Sequence, residues 1–344
     1  KNQNGSFKID SLNLKNEEDE IEIKNAIFDK SLKIVELSQA RFDYMDQENQ
    51  INKFKIINNQ KNYILSGDHL NANHLLDHLT SSDEEEKLSI FKKKIYLKIK
   101  IKNIRLDEEF SIRNLKGNLV LLNSNILDGD LEAFFPDKEK LKFSVVSKND
   151  EKITTLFSDK AKPFVKKYKF IKGFSNGTLD FHSINKGNKT DSYLKIYDFK
   201  LKEVPALTRL LTLASLQGIA DLLSGEGIRF NEFEMKFLNE PSLMTINEIY
   251  AIGPAISILM DGYIEKNKLV SLRGTLVPAT TINKVIGSIP ILGQILVGTK
   301  TGEGVFGVSF KIKGPPKKLE TTVNPIKTLT PRFITRTLEK IKKN

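Results

Sequence analysis

The sequence predicts a mainly β protein, a meander of antiparallel amphipathic strands. Two observations carry this. Apolar and polar residues alternate with period two through most of the first 200 positions, and short polar turn clusters separate the alternating runs. A third is that long helical patterns between the runs are few, which argues against βαβ units.

The elements follow in order. "SFKI" sets Phe7 and Ile9 against Ser6 and Lys8, and the cluster "KNEEDE" then reads as a turn. "LNANHLLDHL", Leu70–Leu79, is a helix candidate with Asn71 or Asn73 as cap, followed by the acidic loop "SSDEEE". "IYLKIKIK" is the clearest strand. Ile95, Leu97, Ile99 and Ile101 share one face, and Tyr96, Lys98, Lys100 and Lys102 share the other. "LKFSVV" puts Leu141, Phe143 and Val145 on one side, and "TLDF" does the same with Leu179 and Phe181. "NDEK" and "NKGNK" read as turns.

In the second half, Pro205–Leu223 predicts an apolar helix. Pro205 suits a first helical position, Leu207, Leu210, Leu211 and Ala214 form its stripe, and Gly225 and Gly227 stop it. "FEMKF" alternates again, and "ISILMDGYIEKNKLVSLRGTLVP" predicts a hairpin turning near Glu265–Lys268. "VIGSIPILGQILVGT", Val285–Thr299, is free of charge. Its length, Pro290 and three glycines exclude a membrane span, which needs about 20 apolar residues. "GVFGVSFKIKG" puts Phe306, Val308, Phe310 and Ile312 on one face, and the tail "TPRFITRTLEKIKKN" is a basic amphipathic helix candidate.

Composition narrows the chemistry. With no cysteine among 344 residues, disulfides, thiolate metal sites and Cys nucleophiles are excluded. The net charge of +11 is concentrated late: Lys311–Asn344 holds ten Lys/Arg against two Asp/Glu. Such a tail suits an anionic partner, or simply keeps the chain soluble. The start at Lys1, without Met, suggests a fragment or processed chain.

Three motif strings are coincidental. "GFSNG" matches a nucleophile elbow at Ser175, but a strand pattern follows where a helix is required, and the one downstream His is His182. A hairpin turn is the simpler reading. "GEGVFG" matches a dinucleotide fingerprint without its βαβ setting. His74 and His78, with His69 and Asp77 near, lack a third ligand at a meaningful spacing. The acidic loops read as solvated turns, so no catalytic pair, cofactor or metal is assigned. The Lys98, Lys100 and Lys102 face could meet phosphates, but Tyr96 is its sole aromatic, too few for a nucleic-acid stacking platform. What remains is surplus apolar sheet surface. It must pair with itself in a sandwich or meet something apolar, and lipid suits it.

The last 140 residues carry a series of strings in order: "VPALTRLLTLASLQGIADLLSGEGIRF", "GPAISILMDGYIE", "LRGTLVPA", "SIPILGQILVG", "GEGVFGVSFKIKG" and "VNPIKTLTP". Together they resemble the C-terminal region of AsmA-like proteins of the YhdP type, in the AsmA/YhdP/TamB group of bridge-like lipid-transfer proteins. The resemblance covers about Val204 to Pro331, and "SGDHLNANHLLDHL" fits more generally. One departure is Arg332 after Pro331, where the family has Gly.

The resemblance implies an elongated, curved antiparallel sheet whose open apolar groove carries phospholipid between the inner and outer membranes of a Gram-negative envelope. It implies no enzymatic step and no cofactor, a periplasmic location, and an N-terminal membrane anchor outside this chain. The expected organisation is a groove segment at 1–200, a family C-terminal region at 201–331 with helix 205–223, and the tail at 332–344. Groove candidates are Ile95, Leu97, Ile99, Ile101, Phe143, Val145, Phe306, Val308, Phe310 and Ile312. Membrane-contact candidates are Leu210, Leu211, Ile289, Ile291, Leu292, Ile295 and Leu296. The alternatives are an envelope assembly factor that binds outer-membrane proteins by edge-strand addition and, behind it, a basic nucleic-acid binder.

Overall fold

Polar turns of two to five residues between amphipathic strands leave the chain little choice but to run back beside itself. The computed structural model has this form. It describes residues 6–60, 62–73, 93–122, 125–166, 173–202, 204–213, 225–278, 307–316 and 318–326. Among the described residues the protein is mainly β, 72% strand and 5% helix, so its core is made from sheet faces; the sheet of each unit is open and not a closed barrel. The chain divides into two units, 1–163 and 164–344. The division falls after the tenth strand, whereas position 200 is the penultimate residue of the twelfth.

Unit 1 holds β1 (Phe7–Lys15), β2 (Glu20–Phe28), β3 (Ile34–Met45), β4 (Ile51–Asn59), β5 (Asn62–Asn71), β6 (Ile95–Arg105), β7 (Ser111–Leu122), β8 (Asn125–Phe134), β9 (Lys140–Lys148) and β10 (Glu151–Ser158). Each strand pairs with its neighbours in sequence. All these pairs are antiparallel except β5–β6, which is parallel. That corrects the expectation of a purely antiparallel meander. Parallel neighbours need a crossover of a dozen residues or more, and the connection 72–94 supplies it. The helix expected over Leu70–Leu79 falls there: Leu70 and Asn71 belong to β5, Asn73 is helical, and the rest lies outside the described residues.

Unit 2 holds β11 (Ser175–Lys186), β12 (Lys189–Leu201), β13 (Ile228–Asn239), β14 (Leu243–Ile252), β15 (Ile256–Glu265), β16 (Leu269–Pro278), β17 (Gly307–Gly314) and β18 (Glu320–Ile326), every neighbouring pair antiparallel. Short α1 (Lys162–Val165) lies at the division, and α2 (Pro205–Leu213) packs against β18. Helix α2 begins as Pro205 suggests, and the Thr208 amide donates to the Val204 carbonyl at 2.9 Å. Its predicted extension to Leu223 and the tail 332–344 lie outside the described residues. The hairpin predicted near Glu265–Lys268 is the β15–β16 turn. "NDEK" is the two-residue β9–β10 turn, where Asn149 and Asp150 take φ of 52° and 61°. Positive φ at both central positions matches the right-handed twist of the strands it joins.

One corner of unit 1 is tied by polar side chains. Asn52, 2% exposed, donates to Asp46 Oδ2 (3.0 Å) and accepts from the Asn71 amide (2.8 Å). Asn71 Nδ2 donates to the same Asp46 oxygen at 2.7 Å, and Arg105 reaches Gln50 at 3.0 Å. Burial alone would raise the Asp46 pKa. The hydrogen bonds from Asn71, Gln50, Asn52 and Glu48 outweigh it and hold the carboxyl below its ordinary value. A carboxyl with a depressed folded pKa stabilises above its unfolded pKa, near 3.9, and that stabilisation is lost as pH falls through the folded value. The urea midpoint is therefore expected to drop on acidification below about pH 4. Asp46→Asn should start lower at neutral pH and lose less across the acid range.

Candidate functional site

The strand registers assemble the alternating apolar residues into transverse rows. In unit 1 one row crosses all ten strands: Leu12, Ile23, Ala40, Ile56, Leu65, Ile99, Gly117, Leu131, Phe143 and Leu156, each directly paired with the next. With strands about 4.8 Å apart, the row is about 43 Å long. The parallel β5–β6 pair does not break it, because Leu65 pairs with Ile99. The residues one step along each strand make the opposite face. There the row reads Asn13, Glu22, Arg41, Lys55, Ser66, Lys100, Lys116, Glu132, Lys142 and Phe157, polar until its last member.

Unit 2 carries apolar rows as well. Leu179, Ile196, Phe233, Ala251, Ile258, Leu276, Val308 and Pro325 form one apolar row across its eight strands. Phe181, Leu194, Met235, Ile249, Met260, Gly274, Phe310 and Val323 form a second beside it. At one margin Phe174, Phe199 and Phe230 stack with centroids 5.3 Å apart.

The groove candidates that lie among the described residues fall on these apolar faces. Ile95, Ile99, Ile101 and Val145 are buried, as are Val308 and Phe310; Leu97, Phe143 and Ile312 are half-buried. Much of that shielding is lateral. Ile99, Ile101, Ile104, Ile112 and Leu119 pack on one another across β6 and β7, with Leu65, Leu97, Leu115 and Leu131 around them. The large residues of the unit 1 row at Leu12, Ile23, Ile56, Leu65, Leu131, Phe143 and Leu156 all keep part of their surface exposed. Sequence reasoning missed most of these. Their strands, such as "FKIINN" and "YILSG", alternate imperfectly, so membership of the row shows only through register.

The membrane-contact candidates fare differently. Leu210 and Leu211 are buried within the protein, and the exposed leucine of α2 is Leu213. Ile289, Ile291, Leu292, Ile295, Leu296 and the groove candidate Phe306 lie outside the described residues.

The rejected motifs can also be placed. Ser175 opens β11, and Asn176 and Gly177 have φ of 62° and 86° inside that strand, so "GFSNG" is a kink and not a hairpin turn. Ser175 and His182 are seven strand residues apart, about 23 Å, which separates them as a dyad. Gly307 of "GEGVFG" is the first residue of β17. His69 lies on β5, while His74, Asp77 and His78 lie outside the described residues. No group of three or more metal-ligating side chains forms among the described residues.

On the polar face charges largely answer one another. Lys102 pairs with Asp68 (2.6 Å), Lys116 with Glu132 (3.3 Å) and Lys53 with Asp43 (2.8 Å). In unit 2 Lys195 pairs with Glu234 at 3.2 Å and lies over the rings of Tyr193 and Tyr197. Burial would lower the Lys195 pKa, but hydrogen bonds to Tyr193 and Glu234 raise it well above the usual lysine value. Lys195 therefore stays charged at neutral pH. Comparison with protein-family models, with curated proteins and with solved structures finds no match to this chain, so its functional reading rests on the rows themselves.

Proposed function

We propose that the chain is a non-enzymatic lipid-transfer protein, and that the apolar rows bind phospholipid acyl chains and let them pass across the strands. One observation carries the reading: a ten-residue apolar row crosses every strand of unit 1 with most of its large side chains part-exposed. An acyl chain lying on such a row gains about 0.8 kcal/mol per buried CH₂, wherever along it the chain sits. The free energy is nearly uniform along the row, so movement needs no covalent step. The resemblance to AsmA-like proteins supports the same reading. It adds a setting, transfer between the inner and outer membranes of a Gram-negative envelope, with phospholipid and the two membranes as partners.

The test is direct. Protein purified from a Gram-negative host is extracted and its lipid quantified by mass spectrometry, and uptake of labelled phospholipid from vesicles is followed. Co-purified phospholipid and saturable uptake are expected. A chain that carries no phospholipid and takes none up overturns the proposal, and leaves edge-strand scaffolding by β1 as the better account.

A further inference from the structure

We propose that the β2–β3 turn is a docking tip for an anionic bilayer surface, an inference independent of lipid passage along the rows. At this turn Leu32 is 75% exposed, the most exposed large apolar side chain among the described residues. Its backbone has φ of 59°. Eleven described non-glycine residues have positive φ; six are Asn, two are Asp, and Leu32 alone is apolar. Asn and Asp tolerate that region because their short side chains bond locally, whereas a leucine there is strained. The strain is held by Asp29. Its carboxylate accepts from the Ser31 (2.9 Å) and Lys33 (3.0 Å) amides, and its carbonyl accepts from the Leu32 amide (3.0 Å). The turn therefore spends stability to present a leucine to solvent. Strain of this kind clusters at functional sites.

The surroundings name the surface it meets. Phe7, 53% exposed, lies against Phe28 where β2 enters the turn. Lys30 and Lys33 flank Leu32, and on the same margin Lys93 and Lys94 precede β6, with Lys94 over the exposed Tyr96 ring at 5.5 Å. The opposite margin of unit 1 has the opposite character. Its turns 16–19, 46–50, 106–110 and 135–139 hold ten carboxylates against one lysine, Lys138. An anionic bilayer attracts the first margin and repels the second. Leucine and phenylalanine enter the interface while the lysines stay at headgroup level.

The experiment floats the full chain with phosphatidylcholine vesicles, with and without phosphatidylglycerol, and compares Leu32→Asn. Asn suits the backbone better and removes the apolar group. The wild type should float with the anionic vesicles, less so in high salt. Leu32→Asn should float about tenfold less, the loss of one leucine's burial, while its thermal midpoint holds or rises. Its co-purified phospholipid should be unchanged, which separates this inference from lipid carriage. A wild type that does not float overturns it, and so does a variant that floats equally well. Self-association of the wild type that Leu32→Asn abolishes would assign the tip to a second copy of the chain, and also overturns it.

Discussion

Gly117→Val is expected to destabilise unit 1 severely. Gly117 sits in the middle of the ten-strand row, paired with Ile99 on one side and Leu131 on the other. Its φ of 148° is one that side chains rarely adopt, and an added Cβ would lie 1.9 Å from the Asp130 carbonyl oxygen. That contact is with backbone, held in the β7–β8 pairing, so it cannot be relieved by a rotamer change. Either the strands separate locally or the row loses its register. The cost should reach about 3–5 kcal/mol, the range of severe core disruptions, against domain stabilities of about 5–15 kcal/mol. Circular dichroism melts would show this as loss of the cooperative transition or a large fall in midpoint. Gly187→Ala is the control, because Gly187 has φ of 58° with nothing within 4 Å of its added Cβ. It should cost only about 1 kcal/mol, the conformational penalty alone. Equal effects at the two sites would mean that close packing of the row does not matter.

The second large effect concerns lipid. Leu131 and Phe143 face each other on β8 and β9, both half-buried, near one end of the row. Leu131→Glu or Phe143→Glu places a carboxylate where an acyl chain would lie, and co-purified phospholipid should fall by roughly tenfold or more. Val146→Glu adds the same charge on the same strand, but on the opposite face and at a residue already exposed. It should leave the lipid content unchanged. If all three variants keep their lipid, the row is not its path.

Much of the fold was legible because most strands have one dry and one wet face. β6 and the β9–β10 and β15–β16 turns could be read from alternation and turn residues. The strings "IYAI", "ISILM" and "TLVP" are apolar on successive residues, and here the structure gives the reason. Tyr250 and Val277 are fully buried although they point away from the apolar rows, so these strands are dry on both faces. Alternation also slips where the backbone does. Asn114, at φ 55°, accompanies a register shift between Arg113 and Lys116, and the apolar residues of β6 step by three from Ile101 to Ile104. The parallel β5–β6 pair could not be read, because pairing direction is a property of two strands and not of either sequence. The candidate site was legible as a face but not as a row. Leu32 was not legible at all. A single leucine in "DKSLK" looks like an ordinary turn residue until its backbone angle is known.

The neighbour-only pairing of these strands has a consequence for how such a protein changes over evolutionary time. A globular core has a fixed number of places, so an inserted strand must displace something. Here each strand is stabilised by the two beside it, as in a linear array. Duplicating or deleting one hairpin would leave the remaining pairs intact and change the row by about 10 Å. The distance spanned then behaves as a ruler with hairpins as its graduations, adjustable by in-frame genetic events without redesign of the rest.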